Sequence, residues 1–208
     1  MLGPVFFEIE VESAVGTVHQ GNRSAYTARD QKMSRKEPTS CLLYEGRYLT
    51  LKSRDGWEFV AREHDVACLV AWTPAQELLL VEQYRIPVGS RTIELPAGLV
   101  GDHAEQAGEA IEDAAGRELE EETGWRAGRL EPIMRCPTSA GMSNESVLFF
   151  FAEDLVQVGS GGGDDSEDIL VHRVPLAGID EWLDQRYREG YALDPKIFAA
   201  LHWSRNRR

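Results

Sequence analysis

Between Glu118 and Glu122 the chain places four glutamates in five positions, with Arg117 before them and Thr123-Gly124-Trp125 behind. On a helix, residues three and four apart share a face, so Glu118 points the same way as Glu121 and Glu122. Like charges at that spacing destabilise a bare helix by about 0.2–0.5 kcal/mol per pair, so a helix here needs a reason to carry them. One reading is a solvated acidic face. The other is a binding face for a hard divalent cation, which prefers oxygen ligands. Ile111, Ala114, Ala115 and Leu119 supply an apolar stripe at helical spacing. Gly124 is placed to cap the C-terminus, so the pattern predicts a helix from about 105–109 to Thr123.

The flanks choose between these readings. Upstream stand Glu94-Leu95-Pro96-Ala97-Gly98, then Gly108-Glu109, then seven residues to Arg117-Glu118-Leu119-Glu120-Glu121-Glu122. Together they resemble the Nudix box, G-x5-E-x7-R-E-U-x-E-E-x-G-U with U bulky and apolar. Glu109, Arg117, Glu118, Leu119, Glu121, Glu122, Gly124 and Trp125 all fit. Ten residues separate Gly98 from Glu109 where the family has five, which reads as a loop insertion around 101–105. The helix stays in register across it.

The resemblance implies hydrolysis of nucleoside diphosphates linked to another group. It also implies Mg²⁺, with Mn²⁺ as the alternative. Glu118 and Glu122 then become metal ligands, joined by the carbonyl of Ala97, and Glu121 is shared between metal binding and catalysis. Arg117 would orient Glu121 or a neighbour, a supporting role of the kind metal sites depend on. A further carboxylate is expected from Gly161-Gly162-Gly163-Asp164-Asp165-Ser166-Glu167-Asp168. There Glu167 resembles the family's additional metal ligand and Asp165 is a candidate general base. Glu145, in Gly141-Met142-Ser143-Asn144-Glu145, is a second candidate for the base and for substrate binding. Arg85, Glu94 and Gly98 are the remaining candidates near the substrate; guanidinium suits phosphate oxygens, although a salt bridge between Arg85 and Glu94 fits as well. Tyr48, Trp57 and Phe59 have the chemistry to stack on a base, but core packing is the expectation for each. His103 is expected to be exposed.

Elsewhere the chain alternates between strand and helix signals. Val5–Glu12 alternates as a half-buried strand, whereas 13–40 is polar and weakly patterned. Strands are expected at 41–44, 48–51, 57–60, 65–72, 77–84, 146–151 and 169–174, with a turn at Asp55-Gly56 and 65–84 forming a central hairpin. Helices are expected at 177–188 and 195–203, the latter after Asp194-Pro195. This is a mixed α/β (α+β) pattern. The resemblance sharpens it to a Nudix-type α/β/α sandwich over 64–208, with a small N-terminal antiparallel sheet in 1–63 that serves dimerisation.

A net charge of −13 argues against a nucleic-acid partner. No apolar run approaches a membrane span, and Met1–Glu8 lacks a basic signal-peptide start. Cys41, Cys68 and Cys136 show neither metal spacing nor a paired framework, which suits a reducing cytoplasm. The partners implied are a small nucleoside diphosphate and a second copy of the chain. The E-L-P-A-G turn, the G-x-x-x-E segment and the extra sheet resemble the branch acting on ADP-ribose and related nucleoside diphosphate sugars. That branch's proline, fifteen residues past the box, is Ala140 here. GDP-mannose or another derivative therefore stays open, as does a non-catalytic nucleotide-binding module. The absence of tyrosine from 126–145 weighs against dinucleoside polyphosphates.

Overall fold

A computed structural model describes residues 40–101, 108–163 and 167–206. The expected strand at Val5–Glu12, the polar stretch 13–39, His103, most of the inserted loop and Asp165 lie outside the described residues.

Strand β1 (Ser40–Glu45), β2 (Thr50–Arg54) and β3 (Trp57–Ala61) form an antiparallel sheet. Asp55 and Gly56 join the last two with φ of 51° and 85°. Two successive positive φ values suit the right-handed twist of a two-residue hairpin, and Asp-Gly tolerates them. The next strands are β4 (Val66–Ala71), β5 (Glu77–Arg85), β6 (Ser90–Glu94) and β7 (Ala97–Leu99). Helix α1 (Ile111–Thr123) leads into β8 (Trp125–Arg126), β9 (Arg129–Pro137), β10 (Ser146–Glu153) and β11 (Val156–Gln157). The chain continues through β12 (Leu170–Pro175), α2 (Ile179–Arg188), β13 (Ala192–Leu193) and α3 (Lys196–Asn206).

Two four-stranded mixed sheets form the body, in the orders β7-β4-β10-β9 and β12-β5-β6-β13. β4 runs parallel to β10, and β6 parallel to β13. β4 is apolar on both faces because both are covered. Ala67, Leu69 and Ala71 pack with Ala115 and Leu119 of α1, whereas Cys68 and Val70 pack toward β5, β6, α2 and α3. Helices therefore cover opposite sides of the sheets, the layered α/β arrangement expected.

Three expectations change. Residues 65–84 do not form a hairpin: β4 and β5 lie in different sheets and touch as strands only through the Trp72–Leu78 bridge. Each is apolar on both faces and takes its ladder partners elsewhere, β5 between β6 and β12. Helix α1 begins at Ile111, later than expected. Gly108 has φ of 89° and Ala110 is extended, which keeps Glu109 off the helix. Tyr48 and Trp57 are not core residues, and Trp57 is 79% exposed.

Candidate active site

The C-terminal turns of α1 meet two glycine-bearing segments. Gly124 adopts the left-handed conformation, φ 73°, and its N–H donates to the Glu120 carbonyl. The chain then returns at Gly159–Gly163 to the helix end. Val158 and Gly159 donate to the Gly124 carbonyl, Gly162 to Glu122 at 2.9 Å and Gly163 to Glu121 at 3.1 Å. These bonds satisfy carbonyls that a helix C-terminus leaves without partners. A Cβ on Gly161 would collide with the backbone of Glu122 and Thr123, so the approach requires glycine.

On the other side, the Ala97-Gly98 turn lies against the carboxylates. The Ala97 N–H donates to Oε2 of Glu122 at 3.0 Å. A Cβ on Gly98 would overlap the Glu118 carboxylate. Ala97 and Gly98 hold this place because β7 pairs with β4, Ala97 opposite Cys68 and Gly98 opposite Ala67.

Glu122 is 3% exposed. Burial pushes its pKa well above the ordinary carboxylate value; the Ala97 N–H opposes this, and the charges of Glu118 and Glu167 add to it. Glu167 folds over Gly163, whose added Cβ would overlap its carboxylate. Glu118, Glu122 and Glu167 are thus brought into one electrostatic neighbourhood. Arg117 reaches Glu118 and Glu121 at 2.9 Å each, and Glu109 through two bonds at 3.3 Å. Partial burial works against its charge, but these carboxylates more than offset that and raise its pKa.

Arg85 and Glu94 form the bidentate pair anticipated as the alternative to phosphate binding, with both bonds at 2.7 Å. Burial pushes the Glu94 pKa up, yet Arg85 and the Thr92 hydroxyl bring it below the ordinary value. Arg85 also contributes a favourable field at Glu122.

Glu145 accepts from Arg62 Nε at 3.1 Å, next to Asn144, whose side chain bonds both backbone groups of Arg62. It lines a cleft of about 880 Å³ with Trp57, Phe59, Arg135, Ala140 and Met142.

The donors suit a hard divalent cation in kind: carboxylate oxygens of Glu118 and Glu167 whose charges raise the cost of ionising Glu122. Among the described residues, no three Asp, Glu, His or Cys side chains converge tightly enough to cage an ion. Magnesium keeps several waters and needs only a few carboxylates, so a full cage is not required.

Two participants had no sequence signal. Arg62 and Arg91 are ordinary strand-region arginines whose acidic partners, Glu145 and Asp168, are distant in the chain.

The NUDIX domain family model matches residues 62–193. The chain belongs to the Nudix hydrolase family. It is 31% identical over 144 residues to the methanol dehydrogenase activator of Bacillus methanolicus, covering 69% of this chain and 74% of that protein. It is 30% identical over 155 residues to the ADP-ribose pyrophosphatase of Escherichia coli O157:H7, covering 70% of this chain and 69% of that protein. With the ADP-ribose pyrophosphatase of Bacillus subtilis the identity is 35% over 96 residues, and only 49% of that relative is spanned. A crystal structure of an ADP compounds hydrolase shares the fold, with a TM-score of 0.64 at 22% identity over 83% of this chain and 95% of that one.

Proposed function

We propose that this Nudix hydrolase cleaves the pyrophosphate bond of ADP-ribose or a related nucleoside diphosphate sugar, with Mg²⁺ or Mn²⁺. Water and ADP-ribose would give AMP and ribose 5-phosphate. The observation that carries the reading is Glu122: a buried carboxylate with one backbone donor, in the field of two more carboxylates. The relatives named for ADP-ribose support the substrate class.

Glu118, Glu122 and Glu167, with the Ala97 carbonyl, are the groups proposed to hold the cation. When bound, such an ion activates water and stabilises charge on the phosphates. Gly98 leaves room for the Glu118 carboxylate. Arg117 fixes Glu121 at the edge of the site, where Glu121 is half exposed and accessible to water. Arg85 is the cation set to meet phosphate oxygens, held in direction by Glu94. The general base is assigned to a carboxylate from Glu121, Glu145 or Asp165. Trp57 offers an exposed face for a nucleobase in the cleft that also contains Glu145.

Leu42, Tyr44, Tyr48 and Trp57 are exposed apolar residues of the 40–61 region, which supports dimerisation through the N-terminal part of the chain. The described helices include none long and apolar enough to cross a membrane. A cytoplasmic location is part of the same proposal.

The test is release of nucleoside monophosphate from ADP-ribose, GDP-mannose, NADH and diadenosine polyphosphates in parallel, with Mg²⁺, with Mn²⁺ and with chelator. Metal-dependent AMP release fastest from ADP-ribose is expected. GDP-mannose as the best substrate would move the specificity to the second reading, which Ala140 in place of the branch's proline leaves open. Binding without turnover of any diphosphate would indicate a nucleotide-binding module.

A further inference from the structure

We propose that Arg91 and Asp168 form a latch that sets where Glu167 stands against the α1 glutamates, making Arg91 a positioning residue for the reaction. This rests on the reading of Glu167 as a metal-holding group. The segment carrying Glu167 has two anchors. At one end, Gly162 and Gly163 are tied to the carbonyls of Glu122 and Glu121. At the other, Arg91 Nη1 donates to Asp168 Oδ2 at 2.9 Å, and Nη2 to the Asp168 carbonyl at 3.4 Å. Glu167 is the residue immediately before the second anchor, so a displacement of Asp168 passes to it through a single peptide unit.

Arg91 is itself held from behind. Its Nε donates to Oε1 of Glu82, and His172 Nε2 meets the other Glu82 oxygen at 2.8 Å. Glu82 is 3% exposed, at the centre of a sheet where β5 lies between β6 and β12. An isolated pair involving Asp168, 78% exposed, would contribute little, because two long side chains must be ordered for a screened attraction. Here the guanidinium is already directed by a buried carboxylate, so only the short Asp168 side chain has to be ordered. The planar fork allows one side chain to engage Glu82 and Asp168 together; an ammonium has no such geometry.

The experiment compares wild type with Asp168→Asn, Arg91→Gln, Arg91→Lys and the double variant Arg91→Gln/Asp168→Asn. Initial rates on ADP-ribose are taken across a Mg²⁺ titration, and residue-resolved amide exchange is measured at Gly162, Gly163 and Glu167. Asp168→Asn leaves the buried Glu82 contacts in place and should keep the wild-type melting temperature. Its kcat should fall roughly tenfold and the half-saturating Mg²⁺ concentration should rise, with KM for ADP-ribose nearly constant. Exchange at the three amides should speed up. Arg91→Lys should not restore the rate, and the double variant should be less impaired than the sum of separate losses, since both break one latch. Wild-type rate, Mg²⁺ dependence and exchange in Asp168→Asn would overturn the latch. So would a slower rate with unchanged Mg²⁺ dependence and exchange. If the wild type turns over no diphosphate, the functional reading fails alone, and the exchange measurement still decides the latch.

Discussion

Glu82, Glu94 and Glu122 are all nearly inaccessible, yet the fold treats them differently. Glu82 is met by Arg91 and His172, and Glu94 by both ends of the Arg85 fork and by Thr92. Glu122 accepts one N–H from Ala97, and among the described residues no side-chain cation pairs with it. Burial penalises charge in each case. Hydrogen bonds from Arg85 and Thr92 reverse that penalty at Glu94, whereas at Glu122 it stands and neighbouring carboxylates deepen it. The same residue type at similar depth is thus neutralised from within at two positions and left unneutralised at the third. On the proposed function, charge balance at Glu122 would come from a bound cation.

The largest test of this contrast is Glu122→Gln. It should lower kcat/KM by about a thousandfold, roughly 4 kcal/mol of transition-state stabilisation. In metal-free buffer near neutral pH it should raise the melting temperature. The sign follows from linkage: the folded state holds this acid's pKa above its unfolded value, so its ionised form weakens the fold as pH rises between the two. The amide removes that loss. Glu82→Ala should go the other way, costing about 3 kcal/mol in urea denaturation by stripping a buried charge network of its centre.

Metal should separate the two glutamates as well. At a hundredfold excess over its dissociation constant, Mg²⁺ should stabilise the wild type by about 2.7 kcal/mol and leave the melting of Glu122→Gln nearly unmoved. An equal gain in both proteins would break the comparison. The smallest effect is expected from Gly98→Ala, whose added methyl must displace the Glu118 carboxylate. A rate loss of about thirtyfold, some 2 kcal/mol, should accompany little change in melting temperature. Unaltered kinetics would remove Glu118 from the site.

Helix α1 was legible in the sequence because three signals agree: the apolar stripe at 111, 114, 115 and 119, the glutamates on another face, and Gly124 at its end. Its neighbours were legible through the family pattern, which marks the places where backbone approaches backbone. Strands β6 and β9 left no such trace. β9 is an edge strand interrupted by Pro132, with weak alternation between buried and exposed positions. Residues 65–84 have the sequence pattern of a hairpin because strands covered on both faces are continuously apolar and do not announce their partners. Tyr48, in the bend between β1 and β2, and Trp57, at the start of β3, show a different limit: an aromatic in or beside a strand suits a core and an exposed contact surface equally well, and burial alone separates them. The Arg91–Asp168 contact was illegible for another reason, since two unremarkable charges meet only after β5, β6 and β12 have assembled.

The parallel pairing of β4 with β10, Val66 opposite Val147, also orders events during synthesis. A ribosome releases β4, β7 and α1 long before β10, so the sheet beneath the glutamates stays incomplete while the helix is already available. Closing so long a loop carries an entropic cost and makes the pairing slow relative to local helix formation. The acidic helix therefore waits for its floor, and a cation meeting the nascent chain finds dispersed, solvated carboxylates. A chain truncated before Ser146 should show helical signal without the gain in thermal stability expected from Mg²⁺ in the complete protein.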